Sequence, residues 1–437
     1  MSYTAIACTI KVRPHFNQKY ERIQIGTIYG VDVIVSKEVE DGDFGIYFPP
    51  DGQLDEQFCI QNKLLRKHPE TGENLGGYLE ANRKVKAIKI CEIESQGIWI
   101  PISNFDYLGS VSLKDGEAFT HVNGKEICKK FVTAKTLKVR QNKEVNKPRK
   151  HKIQEKVFPR HYDTSQWKFS RNIPQQNAFI IVTEKLHGTS GRTGNIPVTK
   201  NRELSSWEKF KKFLGFKVQE TDTFYTIVNG SRAVNLGTKF DTEKPGFYGS
   251  NTFRWSVIEP WSDKIKKNEL VFYEIVGYVG EKPIQKGGKI TDKKIVKKYG
   301  LGPMEFSYGC KPGVCEAYVY RIVNVNPDNG DIQELSWTEI QRRCSEMGVK
   351  VVPEYKRFVY DGNLDTLDEE LNSLIVGSSV LDDKHVREGV CIRVEQNTGI
   401  KVLKLKSFDF LVIEGIAKDN EDHVDMEEAE EENPNGN

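Results

Sequence analysis

Between Lys135 and Arg160 the chain carries ten Lys or Arg against two acids, with Pro148 and Pro159 inside the run. A segment this polar does not belong in a core, and proline stiffens it, so it divides the chain in two. Upstream, residues 1–140 hold short β-branched and aromatic runs broken by turn signals: Ile6–Val12, Ile23–Val35, Phe44–Phe48 and Val85–Ile102. Short strands without a long helical period predict a small barrel or sandwich, and the size and basic character suit an OB-type β-barrel. Downstream, strand candidates at Ala178–Thr183, Leu270–Val276, Ala317–Val323, Gly389–Val394 and Ile400–Leu405 alternate with helix signals. Two of these signals are capping boxes, Ser205-Ser-Trp-Glu208 and Ser336-Trp-Thr-Glu339, and a third helix is expected over Lys293–Tyr299 before Gly300. The fold class is therefore read as α+β. An OB-type domain (1–140) is followed by a basic linker (141–161) and a larger domain (162–418) with an insertion at about 195–222. An acidic, disordered tail (419–437) closes the chain.

The net charge of +2 hides an uneven distribution. Nine Asp or Glu and no Lys or Arg lie from Asp419 onward, which leaves 64 cations against 53 acids, +11, on residues 1–418. A basic body with an acidic end points to a polyanionic partner. No apolar run approaches the roughly 20 residues of a membrane helix, and the first residues lack a signal-peptide pattern. The eight cysteines show no CxxC spacing, so a zinc site or disulfide framework is not expected and a reducing, cytoplasmic interior is. The segment Gly287-Gly288-Lys289-Ile290 lacks the Ser or Thr of a P-loop, and the histidines show no HExxH spacing.

The sharpest local feature is Thr183-Glu184-Lys185-Leu186-His187-Gly188, where an apolar run delivers a lysine to a strand end and a glycine follows three residues later. Lysine attacks only when neutral, which needs burial or neighbouring cations. A glycine there lets backbone approach a phosphate. Downstream come Arg232, Glu274 within an apolar run, Tyr318-Val-Tyr320, Arg387-Glu388-Gly389-Val390, and Lys404-Leu405-Lys406. Lys404 and Lys406 alternate with a leucine and so share one strand face. Carboxylates in apolar strands are costly unless paired, and a cation held through its waters gives Glu274 and Glu388 a reason to be there.

In their order, lysine, arginine, carboxylate, aromatic, carboxylate, paired lysines, these elements resemble the motifs of the covalent nucleotidyltransferases, the superfamily of ATP-dependent ligases and mRNA capping enzymes. With His187 where DNA ligases and capping enzymes usually carry aspartate, and with the barrel-like segment first, the chain is most similar to ATP-dependent RNA ligases that have an N-terminal OB domain. That resemblance implies a monomer using ATP and Mg²⁺ or Mn²⁺ to join 3′-OH and 5′-phosphate RNA ends. Lys185 would be the nucleophile that takes AMP, with Lys404 and Lys406 on the α-phosphate helping to lower its pKa. Glu274 and Glu388 would hold metal through waters. Tyr320 would stack on adenine with Val390 on the opposite face, Tyr318 being the rival; Glu184 would read the adenine edge, and Arg192 and Arg232 would contact ribose or phosphate. His187 receives no role. A GTP-dependent capping enzyme is opposed by His187 and the leading barrel; a catalytically inactive nucleic-acid binder is opposed by retention of the lysines and carboxylates.

Overall fold

The computed structural model describes residues 3–141, 151–239, 252–290, 292–300 and 302–420. The middle of the expected linker and the tail from residue 421 lie outside the described residues. In the N-terminal part, Ala5–Thr9 and Phe44–Phe48 are the central strands of a four-stranded antiparallel sheet with Ala118–Phe119 and Ile98–Pro101 at its edges. Lys11–Pro14, Ile23–Ile28 and Val31–Ser36 form a separate meander. The segment is mainly strand, as its β-branched runs dictate, with short helices at Glu56–Gln61 and Ala134–Gln141, and the described strands form several small sheets and no closed barrel. The strands are short, and left-handed residues make tight hairpin turns: Tyr29–Gly30 between paired Ile28 and Val31, and Cys91–Glu92 between paired Ile90 and Ile93.

The larger part is built on two sheets. Strand β1 (Phe179–Lys185) leads into β2 (Thr189–Asn201), helix α1 (Ser206–Phe213), β3 (Thr221–Ser231), β4 (Glu269–Val279) and β5 (Cys315–Val325). Then follow β6 (Gly389–Gln396), β7 (Gly399–Lys406) and α2 (Phe408–Asp419). One five-stranded sheet has the order Ser165–Gln166, β7, β6, β1, Glu354–Val359. A nine-stranded sheet has the main path Asn235–Thr238, β3, β2, β4, β5, Ile332–Glu334. Because β1 is apolar on both sides, it feeds two cores. Ile181 packs with Tyr273, Ile275 and Val319 between the sheets, while Ile180 and Val182 pack with Val390, Ile392 and Leu405 on the far face. Each such buried Ile or Val is worth about 1.5–3 kcal/mol.

The chain crosses from β1 to β2 through Leu186, His187 and Gly188. A Cβ at Gly188 would lie 2.2 Å from the Ile275 carbonyl oxygen, so the glycine is required by the close approach to β4 rather than by room for a phosphate. The expected insertion is the outer half of a hairpin: β2 and β3 stay paired from Gly191↔Ser231 to Asn201↔Thr221, with α1 at the tip. Both capping boxes form as read, and the helix after Ser336 ends at Gly348 in the left-handed conformation. The N-terminal part grips α2: Lys418 Nζ lies 2.8 Å from both Asp51 carboxylate oxygens, Lys84 Nζ donates to the Gly415 carbonyl at 2.7 Å, and Lys86 pairs with Asp419 at 2.7 Å.

Candidate active site

The register of the five-stranded sheet decides which side chains meet. Thr183, Cys391 and Lys404 are directly paired across β1, β6 and β7, and so are Lys185, Gly389 and Lys406. Alternation therefore puts Lys185, Cys391, Lys404 and Lys406 on one face and Glu184, Val390 and Leu405 on the other. Just before β6, the buried Glu388 holds two of the lysines: its Oε1 is 2.7 Å from Lys185 Nζ and 3.7 Å from Lys406 Nζ. Lys406 is held from its other side by Glu414 of α2 at 2.8 Å. Burial, aided by the neighbouring Lys406, Lys185 and Arg232 cations, pulls Lys404 down to about 7.

Glu274 enters from the other sheet. It is paired with Ser190 across β4 and β2, and its carboxylate accepts hydrogen bonds from Gly188 N at 3.1 Å and Ser190 Oγ at 3.0 Å. The same carboxylate thus faces the site and fastens the crossing. Lys185, Arg232, Glu274, Glu388, Lys404 and Lys406 all line one cavity of about 420 Å³. The N-terminal part supplies Tyr3, Asp51, Gln96 and Lys130 to the same wall, and Lys168 and Lys418 complete its basic rim. Glu388 Oε2 is buried without a hydrogen-bond partner, with His187 Nδ1 3.8 Å away. With Glu274 across the cavity, these residues fit Mg²⁺ or Mn²⁺ held through waters; among the described residues no three His, Cys, Asp or Glu converge as a direct cage.

Four of the ten residues singled out in the sequence do not line this cavity. Val390 is fully buried in the core behind the sheet, packed with Ile180 and Val182, so it does not share the face of Lys185. Cys391 does, one position further on. Arg192 is buried over the Phe158 ring and donates to the Arg232 carbonyl at 2.5 Å, so it fixes the turn that carries Arg232. Arg232 itself reaches the cavity, where Asp163 holds its guanidinium at 2.6 Å. Tyr320 is half-buried with its ring 5.2 Å from His161; Tyr318, paired with Glu274, is buried with its hydroxyl on Glu316, and neither lines the cavity. Glu184 is buried, accepts from Tyr355 Oη and Val380 N through Oε2, and keeps Oε1 without a partner. We expect Val390→Ala to lower stability by about 2 kcal/mol without changing nucleotide affinity. A bulky Cys391→Phe should instead weaken nucleotide binding at near-unchanged stability. Thermal melts and nucleotide titrations of the two variants check this.

Sequence reading singled out His187 without giving it a role, and it missed Glu414, Lys418, Lys168 and Arg254. His187 sits edge-on to Phe306 and Phe410, with Nδ1 3.8 Å from Glu388, and burial pushes it down to about 4, so it is a neutral ring packed beneath the carboxylate. Arg254, buried, donates to the Ser190 carbonyl at 3.0 Å and to Thr189 Oγ1 at 2.8 Å, holding the start of β2. Glu414, Lys418, Lys168 and Arg254 carry no local motif; each is brought in by tertiary packing.

A family model described as RNA ligase matches residues 178–406, which spans β1 through β7. A search of curated proteins gave no match. Among solved structures, Naegleria gruberi RNA ligase with PPi aligns at a TM-score of 0.56 and 16% identity, covering 93% of this chain and 97% of that one. A variant of the same ligase with ATP and Mn aligns at 0.56 and 15%, covering 93% and 98%. A further variant with AMP and Mn aligns at 0.55 and 16%, covering 93% and 97%. At these identities the likeness is one of fold, and it extends through the N-terminal part.

Proposed function

The chain belongs to the RNA ligase family, and from that premise we propose that it joins 3′-OH and 5′-phosphate RNA ends at the expense of ATP, in RNA repair. The observation that carries this reading is the row of Lys185, Lys404 and Lys406 on one sheet face, with buried Glu388 between two of them at the wall of the cavity. Lys185 Nζ, once its proton is lost, attacks the α-phosphorus of ATP; a P–N bond forms as the bond to pyrophosphate breaks. AMP then passes to the RNA 5′-phosphate, and the 3′-OH displaces it to seal the strand. Glu274 and Glu388 would hold hydrated Mg²⁺ or Mn²⁺, which when bound neutralises phosphate charge. Lys404 and Lys406 stabilise negative charge at the α-phosphate, and Arg232 orients the nucleotide. Glu184, buried on the sheet face opposite Lys185, anchors the end of the strand that carries the nucleophile by accepting from Tyr355 Oη and Val380 N. The N-terminal part, read as an OB-type module, contributes Lys130 to the phosphate side of the cavity.

Labelled ATP and GTP decide the nucleotide: a covalent protein adduct with ATP alone supports the proposal, and one with GTP alone contradicts it. Nicked duplexes with an RNA or DNA 3′ side then establish the strand. The depressed Lys404 gives a pH signature. Phosphate favours its ammonium form, so the bound state holds a proton that the free state loses above about pH 7. ATP affinity should therefore be greatest below pH 7 and fall as pH rises to 9, with proton uptake on binding at pH 8. Lys404→Met should flatten both in calorimetry.

A further inference from the structure

Helix α1 stands at the far end of the β2–β3 hairpin with no buried residue. Trp207, Phe210, Phe213, Leu214 and Phe216 are 63%, 48%, 85%, 53% and 63% exposed, an apolar patch that a water-facing surface does not need. Nor does the helix need it to form. Ser205 and Glu208 close a reciprocal capping box, Arg202 pairs with Glu208, and the hairpin remains paired up to Asn201↔Thr221. At about 100° per residue, Trp207, Phe210, Phe213 and Leu214 fall within an arc of about 120°. Lys209 and Lys211 border that arc, and Lys212 and Lys217 lie close by in sequence.

Four of the five exposed apolar residues are aromatic, and two are already stacked: the Trp207 and Phe210 rings lie 5.7 Å apart at 24°, with Lys211 Nζ 5.6 Å from the Trp207 centroid. Stacked rings bordered by cations are what unpaired nucleic acid requires, since every base has a face to stack and every phosphate a charge to meet. The arm also leads from the cavity. Its inner end carries Ser190 and Arg232, and the ten residue steps from Gly191 to Asn201 span roughly 33 Å. We propose that α1 is a docking platform for single-stranded RNA flanking the joint, gripping bases about ten nucleotides from the reacting ends at ~3.4 Å per stacked nucleotide. The inference rests on the RNA ligase reading and adds to it a second contact on the substrate.

The test uses the full chain. Trp207→Ala/Phe210→Ala/Phe213→Ala should bind a 24-nucleotide single-stranded RNA about tenfold or more weakly, while forming the ATP adduct at the wild-type rate. Binding of a 6-nucleotide RNA should be the same in both proteins. Lys209→Gln/Lys211→Gln/Lys212→Gln should reduce the slope of log affinity against log salt by about 2. Trp207 is the one exposed tryptophan among the described residues, so RNA should quench its fluorescence and the signal should vanish in Trp207→Phe. Equal affinity of wild type and triple-alanine variant for the long RNA overturns the proposal. So does a Trp207 response to phosphatidylserine-containing vesicles with none to RNA, which would make the patch a membrane contact. Failure of the wild type to form an adduct or seal RNA would instead count against the ligase reading, whatever α1 does.

Discussion

Lys185→Ala should leave the protein unable to form a covalent adduct with AMP. Losing a nucleophile removes the intermediate itself, and effects of ~10⁶-fold follow such substitutions in enzymes where they have been measured. The substitution should not harm the fold: Lys185 ends β1, its side chain is 26% exposed, and it pairs with Glu388, which keeps Lys406. Because only the first step needs the P–N bond, the same variant should still seal RNA that carries a preformed 5′-adenylate. Gel assays of adduct formation and of sealing separate the two. Unchanged adduct formation would place the nucleophile elsewhere.

Glu388→Gln is expected to produce the second largest loss. Glu388 is 2% exposed and serves both Lys185 and Lys406, so an amide takes the charged partner from Lys185 and leaves Lys406 with Glu414 alone. Breaking a buried pair in this way costs the fold about 3 kcal/mol or more, and losing one preorganised charge at a reacting centre costs the rate roughly a hundredfold. The amide also removes the charged acceptor at Oε2. Adenylylation should fall at least about a hundredfold, and raising Mg²⁺ should recover little of it. Glu414→Gln makes the useful contrast. Glu414 contacts Lys406 at 2.8 Å and Lys418 at 3.5 Å but not Lys185, so the effect should be smaller. Single-turnover rates for both variants, with melting temperatures alongside, check the ranking.

How much of this was legible depended on whether the signal was local. The lysine at the end of Phe179–Val182, the spacing Lys404-Leu405-Lys406 and the two capping boxes are local, and the strands and helices form where those signals place them. The face of a strand is not local. Val390 and Cys391 are equally apolar neighbours, and only the start of β6 at Gly389 and its pairing with β1 turn the cysteine toward Lys185. Gly188 was legible as a close approach but not as an approach to Ile275, because β4 is distant in sequence. Arg192 shows the same limit, since its carbonyl partner at Arg232 lies forty residues away. Glu414 and Lys418 are invisible as motifs, and their meaning comes from α2 lying along the cavity, where Glu414 meets Lys406 and Lys418 meets Asp51. In the N-terminal part, β-branched runs were enough to predict strands but not how several short sheets would assemble.

The most direct test follows a single adenylyl group through the whole reaction. The protein is incubated with labelled ATP and Mg²⁺, freed of nucleotide, mapped by peptide mass spectrometry, and then mixed with a nicked RNA bearing 3′-OH and 5′-phosphate ends. The expected result is label on Lys185, transferred to the RNA 5′-phosphate and released as AMP as the nick closes. Label on another residue, or an adduct on Lys185 that the RNA cannot discharge, would contradict the account.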